Sequence, residues 1–597
     1  MCRISGIFDN TGSIRLEQVE AMRDAMRRGG PDGAGRYSHE SLPLHLAHRR
    51  LALIDLTETG QQPMYSTDKK TVLVYNGELY NYQELKIQLQ SLGCNFNSHS
   101  DTEVVLQAYQ QWGLSCFERF NGMFALAIWD EHLQKITLAR DHAGIKPLYF
   151  HLSEKKGLVF ASEIRAFKQL DPHWPENNDW QAAFMLFGHL PEPYTTLQDV
   201  VPLEKGTWLQ IEVPSLQYKT GVHTQFSFRP DITQSAEALT HLREVLPKAV
   251  KKHLISDAPN GLFLSGGIDS SLLTLLAQPY IGQNLKTLSI TFEDATLNEA
   301  PYQKIIADKT GAHHESFLVT EQEFKEHLPE IIEAMDQPST DGINSYFISY
   351  YARNYGLTAV LSGIGADELF GGYPSFTRAN HVAKLRKIPA FLPGLAEYLP
   401  SDKFKKLSFF ASKAEVAGYL FNRGAFSLAQ TAALTGKPKA DLLTILEGVR
   451  LHKPKGIKDN RDTASWMETN LYMQNQLLKD SDYMSMWHSL EIRVPFLDKE
   501  VMNVAFSIDP SIKYHPTIGK YLLIEAFKDL LPDAIWNRKK MGFTFPFYQW
   551  MHSIQAQHPT PHYTHIRNQY LSGKLHWSRY WNFLISQDAR TICYANS

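Results

Sequence analysis

The sequence predicts an α/β protein with two domains, and three observations lead to this fold class. A chain of 597 residues exceeds what one hydrophobic core can organise. After residue 235, short apolar runs alternate with helix-compatible segments, a pattern typical of a doubly wound parallel sheet. Two of these runs end in glycine-rich turns that lead into an acidic helix start. A proline-rich crossover precedes this part, so we predict domains at 1–215 and 216–597.

The composition excludes several classes of function. Lys and Arg number 60 and Asp and Glu 63, which gives a net charge of −3 and no electrostatic basis for binding nucleic acid. No apolar stretch is long enough to span a membrane, and the mixed segment after Arg3 differs from a signal peptide. The four cysteines lack the spacing of a disulfide framework or a metal site. We therefore expect a cytoplasmic protein with small-molecule substrates and no membrane partner.

The first candidate for chemistry is Cys2. Removal of Met1 would leave Cys2 with a free α-amine, whose ordinary pKa is about 7.7–8.0. Such an amine can accept the thiol proton near neutral pH, so that nucleophile and base belong to one residue. A cysteine at the second position, taken on its own, is better explained as incidental.

Four further segments follow Cys2 in order. They are a turn-rich loop at 27–33, a strand at 46–55 that carries Arg49 and Arg50, a strand at 72–81 that contains Asn76-Gly77-Glu78, and a capped helix start at 98–103 that contains Asp101. Each has an ordinary structural explanation. As an ordered set they resemble the class II glutamine amidotransferase domain, an N-terminal-nucleophile (Ntn) hydrolase with an αββα sandwich.

The resemblance implies a role for each matching position. Cys2 would attack the side-chain amide of glutamine, and Asn76 and the Gly77 amide would form the oxyanion hole. Three residues would bind the amino-acid end of glutamine: Arg50 on the α-carboxylate, and Glu78 and Asp101 on the α-ammonium. Arg49 has the same charge as Arg50, and the residues alone leave both open.

The second domain opens on a strand, a tight turn and a helix at 261–273. Ser265-Gly266-Gly267 forms the turn, and Asp269-Ser270 begins the helix. Glycines allow close backbone approach, and the first helix amides have no internal partners, so this arrangement binds anions. Asp269 can hold a divalent cation beside phosphates. An ordinary capped β–α turn is the alternative. The motif lacks the Lys of a Walker A loop and resembles the pyrophosphate loop of ATP pyrophosphatases.

Further strand patterns follow at 285–292, 314–319 and 359–361. In the resembled family, backbone atoms near the second strand hold adenine, which implicates Leu264 and Ile290. After the last of these strands, Ser362-Gly363 forms a second glycine-rich turn, and Asp367 starts a helix. Asp367 would share Mg²⁺ with Asp269.

Segments at 484–498, 519–523 and 538–543 complete the resemblance. The whole chain resembles glutamine-dependent asparagine synthetases, and the resemblance implies a helical C-terminal part. It also implies that the protein uses ATP and Mg²⁺ to adenylate a carboxylate, with L-aspartate as first choice, and that glutamine donates the ammonia. A homodimer is left open. Lys540 would neutralise phosphate charge, with Lys539 as the alternative. The segment at 484–498 is predicted to be a helix that runs into a turn.

One position departs from the family pattern. The second glycine-rich loop of the family contains a glutamate where this chain has Ile364. Either another acid substitutes for it, or the acceptor is a different carboxylate, such as a sugar uronic acid, a cell-wall acid or a specialised metabolite. A third hypothesis, that the fold is kept for glutamine binding or regulation without synthesis, is disfavoured by the complete set of Cys2, Arg50, Asn76, Asp269 and Asp367.

Overall fold

The computed structural model describes residues 2–399, 401–454, 456–541, 545–556, 560–587 and 592–594. Met1, Gly542 and Phe543, which figure in the predictions above, lie outside the described residues. No described helix is both long enough and apolar enough to cross a membrane.

The first part of the chain forms two antiparallel six-stranded sheets. In spatial order, the first sheet contains Val201–Pro202, Tyr149–Ser153, Gly157–Ala161, Arg3–Phe8, Leu44–Arg50 and Gly33–Ser38. The second contains Tyr218–Val222, Thr207–Glu212, Lys135–Arg140, Gly122–Asp130, Thr71–Leu79 and Met64–Tyr65. Strand Gly122–Asp130 is buried along its whole length, as its apolar sequence MFALAIW requires for a central strand covered on both faces.

Helices cover both outer faces of this sheet pair. Leu16–Asp24 and Arg165–Leu170 pack on the first sheet, and Tyr82–Ser91 and Asp101–Trp112 pack together, the latter on the second sheet. An apolar layer that includes Phe8, Leu46 and Trp129 fills the space between the sheets. The predicted αββα sandwich is therefore confirmed.

The second part contains a parallel sheet in the order His313–Leu318, Lys286–Thr291, Asn260–Phe263, Ala359–Leu361, Glu491–Arg493. In chain order this is 3-2-1-4-5, so the strand order reverses between Asn260–Phe263 and Ala359–Leu361. Ligands of such sheets bind beyond the carboxyl ends of the strands at this switch point. Both predicted glycine-rich loops follow these two strands.

Helices surround this sheet and form most of the C-terminal part, as predicted. Around the sheet they are Ser235–His253, Ile268–Ile281, Ala300–Thr310, Glu321–Ala334, Ile343–Asn354 and Ala366–Phe370. The rest are Pro374–Leu385, Phe391–Gly394, Asp402–Lys405, Ala417–Arg423, Leu428–Thr435, Lys439–Gly448, Asn460–Met467, the wider-pitched Glu468–Leu477, Leu478–Trp487, Lys499–Ser507, Pro510–Lys513, Tyr521–Ala526, Asp533–Trp536, Phe547–Trp550, Pro561–Leu571 and Trp577–Ser586. Strands Ile554–Ala556 and Ile592–Tyr594 form a small antiparallel pair.

Two local predictions were wrong. The segment after Trp487 was predicted to be a turn, but Glu491–Arg493 is the fifth parallel strand. Two of its three residues are charged, so it lacks the apolar run that marks a buried strand. The stretch at 171–235, which is rich in Pro, Asn and Thr, was predicted to contain only short strand-like pieces, but helix Trp180–Phe187 forms within it. Its apolar face packs against helices of the C-terminal part, which a local pattern does not reveal.

Candidate active sites

Cys2 lies at the start of the central strand Arg3–Phe8 of the first sheet. Its thiol is buried, with Sγ 3.9 Å from the carbonyl oxygen of Leu51. Burial raises the pKa of the Cys2 thiol to about 11, with Arg50 opposing and Glu78 adding to the shift. Both of these predicted glutamine-binding residues are therefore electrostatic neighbours of the nucleophile.

Strand Thr71–Leu79 of the second sheet carries Asn76 and Gly77, the residues predicted for the oxyanion hole. The amide of Asn76 is fully buried, and neither Nδ2 nor Oδ1 has a hydrogen-bond partner among the described residues. At the next position, a Cβ on Gly77 would be 2.3 Å from the carbonyl oxygen of Met123, so only glycine fits. A buried amide without partners costs folding free energy, and a developing oxyanion would satisfy it.

The structure separates Arg49 from Arg50. They are consecutive in strand Leu44–Arg50, so their side chains lie on opposite faces of the sheet. Arg49 pairs with Asp24 of the outer helix at 3.0 Å. Arg50 donates to the carbonyl oxygens of Asp55 and Thr57 on the Cys2 side. This geometry favours Arg50 for the glutamine carboxylate.

Glu78 and Asp101 are both buried on this side of the second sheet. Asp101 accepts hydrogen bonds from the Leu79 amide at 2.9 Å and from the Tyr75 hydroxyl at 3.2 Å. Burial raises the pKa of Asp101 to about 6 although these bonds oppose the shift. Burial and the nearby Glu491 raise the pKa of Glu78 well above its ordinary value, against the effect of Arg493. Two buried carboxylates without a full complement of cations suit an incoming ammonium group.

The loop after strand Asn260–Phe263 contains the residues predicted to bind phosphate. Gly266 has φ +78°, and helix Ile268–Ile281 begins directly after Gly267. The Ser270 hydroxyl lies 3.1 Å from the Ser265 amide and 3.0 Å from the Ser265 hydroxyl. Several amides and hydroxyls thus converge at one helix N-terminus, which favours an anion.

The second glycine-rich loop packs against the first. A Cβ on Gly363 would lie 2.7 Å from the Cβ of Asp269, so glycine permits the contact. Lys520 Nζ lies 2.7 and 2.9 Å from the two oxygens of Asp269 and 2.8 Å from Asp367. Lys540 Nζ also lies 2.8 Å from Asp367. The two predicted metal carboxylates, 98 residues apart in sequence, therefore meet around one buried lysine.

The charges at this site are strongly coupled. Burial alone would raise the pKa of Asp367, but Lys520 and Lys540 outweigh it and lower the pKa to about 2. Asp367 therefore stays ionised at neutral pH. Beside it, burial and Asp367 raise the pKa of Glu368 to about 7, and the Tyr373 hydroxyl donates to Glu368 at 2.7 Å.

A cavity of about 1430 Å³ extends from these loops into the helical part. Its lining includes most of the predicted nucleotide residues: Leu264, Ser265, Gly267, Asp269, Ser270, Ser362, Gly363 and Asp367. Ile364, Lys539 and Lys540 also line it. Gly266 and the buried Ile290 do not line the cavity, although residues adjacent to them in the chain do.

The donor set fits Mg²⁺ in one specific way. The described residues include no group of three His, Cys, Asp or Glu side chains able to hold a metal. Asp269 and Asp367 supply two carboxylates, and Mg²⁺ ordinarily takes one or two carboxylates together with substrate phosphates and water. Asp269 and Asp367 would hold the ion, which would neutralise phosphate charge when bound.

Three cavity residues were not predicted as site residues. Lys520 bridges the two carboxylates, Arg538 donates to the Gly266 carbonyl at 3.0 Å, and Arg423 also lines the cavity. Lys520 and Arg538 belong to segments that resemble the family, so these motifs could have indicated them as site residues. Arg423 has no motif around it in the sequence.

Arg423 is held rigidly with its tip open. Its Nε donates to Glu468 at 2.7 Å, and the guanidinium carbon lies 3.7 and 4.6 Å from the ring centres of Tyr472 and Tyr373. Nη1 and Nη2 make no hydrogen bond to any described residue. Asp341 lines the same cavity, and Arg423 opposes the rise that burial causes in the pKa of Asp341.

Comparison with known proteins agrees with this geometry. The asparagine synthase family model matches residues 241–561, and the glutamine amidotransferase domain model matches residues 1–220. Asparagine synthetase (glutamine-hydrolyzing) 1 of Bacillus subtilis is 31% identical over 92% of this chain and 88% of the relative. Asparagine synthetase (glutamine-hydrolyzing) 3 of Bacillus subtilis is 29% identical over 93% and 90%. Amidase chry2 of Gibberella zeae is 26% identical over 92% and 90%. The chain therefore belongs to the asparagine synthase family of glutamine-hydrolysing, ATP-dependent ligases.

Proposed function

We propose that this protein transfers ammonia from glutamine to an ATP-activated carboxylate, with L-aspartate as the first-choice acceptor. ATP, L-aspartate, L-glutamine and water would give L-asparagine, L-glutamate, AMP and pyrophosphate. A carboxylate does not react with ammonia directly, because the two only exchange a proton. Adenylation supplies a leaving group.

In the first domain, the Cys2 thiol would lose its proton to the α-amine freed by removal of Met1 and attack the glutamine amide. The negative oxygen of the tetrahedral intermediate would accept hydrogen bonds from Asn76 Nδ2 and the Gly77 amide. Ammonia would leave with the proton, and water would hydrolyse the thioester to glutamate. Arg50, Glu78 and Asp101 would hold the amino-acid end.

In the second domain, the acceptor carboxylate would attack the α-phosphorus of ATP and displace pyrophosphate. The cradle at Ser265–Ser270 would bind the leaving pyrophosphate. Lys540 would neutralise negative charge there and on the intermediate formed when ammonia attacks the acyl-adenylate. AMP would leave as the amide forms. We propose that ammonia passes between the sites through the domain interface; trapping of ammonia in solution during coupled turnover would contradict this.

The strongest support for the second step is the meeting of Asp269, Asp367, Lys520 and Lys540 at the switch point of the parallel sheet. A cluster of purely structural ion pairs needs no cavity. Here the four charges line a large cavity beside a phosphate cradle. Such clusters are typical of nucleotide sites.

The acceptor choice is supported by Arg423 and Asp341. The free Nη1 and Nη2 suit a carboxylate, and Asp341 beside them suits an ammonium group, which together match an α-amino acid. Arg423 and Lys540 lie 4.6 and 4.8 Å from the same Tyr373 ring centre, so they are no more than about 9.4 Å apart. The two carboxyl carbons of aspartate are separated by three C–C bonds of about 1.5 Å each and fit between them. Asp341 would then supply the acid missing at Ile364.

A second candidate keeps the chemistry and changes the acceptor to a larger carboxylate, such as a sugar uronic acid, a cell-wall acid or a specialised metabolite. Ile364 favours it, and the cavity of about 1430 Å³ exceeds the roughly 300–1,000 Å³ of ordinary ligand pockets. Amidase chry2, which aligns over nearly the whole chain, carries a name that does not mention asparagine.

One assay separates the candidates. Glutamine-dependent release of AMP and pyrophosphate is measured with and without L-aspartate, and the product is identified by mass. Aspartate-dependent release with equimolar asparagine supports the first candidate. Glutaminase activity without an aspartate response, followed by activity with a uronic acid, supports the second. Cys2→Ala is the control, because it should abolish glutamine-dependent but keep ammonia-dependent synthesis.

Three further predictions remain open to measurement. We propose the domain division at 215 and 216; the last strand of the second sheet ends at Val222 and the next helix begins at Ser235. Limited proteolysis would locate the division. A homodimer and a cytoplasmic location are likewise proposals, which light scattering and cell fractionation would test.

A further inference from the structure

Arg493 connects the two active sites through its backbone and its side chain. It ends strand Glu491–Arg493, which pairs in parallel with Ala359–Leu361. The amide of Ser362, the first residue of the second glycine-rich loop, donates to the carbonyl oxygen of Arg493 at 2.8 Å. Any displacement of this loop therefore acts directly on the Arg493 backbone.

The side chain of Arg493 extends to the first domain. It is fully buried, and Nη2 lies 3.4 Å from Oε2 of Glu78. Nε donates to Glu491 at 2.5 Å, and Nη1 donates to the His253 carbonyl at 2.9 Å. One residue thus contacts both the loop proposed to bind nucleotide and the carboxylate proposed to bind glutamine.

The contact with Glu78 is the incomplete part of this network. Arg493 Nη2 has no hydrogen bond to any described residue, and it approaches the Glu78 carboxylate only to 3.4 Å. The guanidinium is shared between Glu78 and Glu491, since Nε binds the second carboxylate closely. In a buried site, a change of a few tenths of an ångström in the distance between Arg493 and Glu78 changes the electrostatic energy that stabilises the ionised Glu78 carboxylate.

We infer that Arg493 is a positioning residue through which occupancy of the ATP site strengthens glutamine binding at Glu78. The inference rests on the proposed function. Phosphates bound at the Ser362 loop fix the hydrogen bond from Ser362 to Arg493, and the guanidinium then holds Glu78 in its ionised form for the glutamine ammonium. By linkage, glutamine strengthens nucleotide binding by the same factor.

The experiment uses the full chain and measures the glutaminase KM for glutamine. The probe is the magnesium complex of an ATP analogue with a methylene bridge between the α and β phosphorus atoms, which occupies the site without being cleaved. We expect the analogue to lower KM by about 5-fold or more, the lower end of ordinary coupling, with kcat changed less.

Two variants test the route. Arg493→Lys keeps the charge but cannot reach Glu491, the backbone carbonyls and Glu78 together, so KM should no longer respond to the analogue. Glu491→Gln removes the carboxylate that shares the Arg493 guanidinium with Glu78. The KM for glutamine measured without the analogue should therefore fall. Structural damage would raise KM, so this second variant remains decisive if the first does not fold.

Lys146→Gln is the matched control. Lys146 is a buried residue of the first domain that pairs with Asp482 of the second at 3.1 Å, and neither contacts the Ser362 loop. Its response to the analogue should equal that of the wild type. An unchanged wild-type KM alongside normal pyrophosphate release overturns the inference and leaves the proposed function intact. A wild type without glutaminase activity overturns both, and a response retained in Arg493→Lys overturns the route.

Discussion

The buried amide of Asn76 leads to a prediction in which activity and stability change in opposite directions. Nδ2 and Oδ1 are buried and have no partner among the described residues. Each unsatisfied buried polar group costs about 1–3 kcal/mol. Asn76→Ala removes both groups and leaves a void of roughly 30 Å³, which costs about 0.7 kcal/mol. The variant should therefore be more stable than the wild type by about 1 kcal/mol or more.

The same change removes a donor to the proposed oxyanion. Loss of one such donor lowers kcat by about 10²–10³-fold, which corresponds to about 2.7–4 kcal/mol of transition-state stabilisation. Glutaminase kcat should fall by this factor. Ammonia-dependent amide synthesis should stay at the wild-type rate, because Asn76 does not line the second cavity.

Hydrogen exchange of strand Thr71–Leu79 measures the stability locally. A gain of about 1 kcal/mol slows exchange through opening of this strand roughly 5-fold. Asn81 is the matched control, because its Nδ2 donates to the Arg119 carbonyl at 2.9 Å and its Oδ1 accepts from the Asn121 amide at 3.0 Å. Asn81→Ala should lose stability and keep glutaminase kcat. Faster exchange in Asn76→Ala, or a kcat within 10-fold of wild type, would refute the reasoning.

Three other predictions follow from the charged groups. Lys520→Met leaves two buried carboxylates without their shared cation, so adenylation should be lost and thermal unfolding should show a loss of stability of about 3–5 kcal/mol. The control is Lys528→Met at an exposed ion pair, which should change stability by less than about 0.5 kcal/mol. Because burial raises the pKa of Asp101 to about 6 and ammonium binding needs the ionised form, KM for glutamine should rise as pH falls below about 6, and Asp101→Asn should reduce this slope to the part that Glu78 contributes. Arg423→Gln should raise the KM for the acceptor about 10-fold or more in pyrophosphate-release assays, because it loses a charge-assisted hydrogen bond worth about 1.5–3 kcal/mol. The KM for ATP should not change. An equal rise in both KM values would contradict a role of Arg423 in acceptor binding.

Much of the site could be predicted where its residues are consecutive on one element. Asn76, Gly77 and Glu78 lie on one strand, and Ser265 to Ser270 form one turn and helix start, so motif and geometry coincide. Arg49 and Arg50 show the limit of this approach. They share charge and strand, and only the face on which each lies, fixed by pairing with Asp24 or with the loop at 55–57, separates them.

The partners of Lys520, Arg423 and Arg493 could not be predicted from sequence for a different reason. Each reaches its partner across a long separation: Lys520 to Asp269 over 251 positions, and Arg493 to Glu78 across the domain interface. No local period marks a residue whose role is created by packing. The strand that carries Arg493 is three residues long, and its two charges are tolerated in the buried sheet because they pair with each other.

Three polar groups without hydrogen-bond partners lie at the proposed sites. Natural proteins satisfy nearly all buried polar atoms, so exceptions need a reason. Here the Asn76 amide and Arg493 Nη2 are buried without a hydrogen bond, and the tip of Arg423 opens into the cavity without one. Each lies where the proposed reaction places a ligand or a coupling contact. At these three positions we propose that binding recovers the cost that the unpaired groups impose on the free protein.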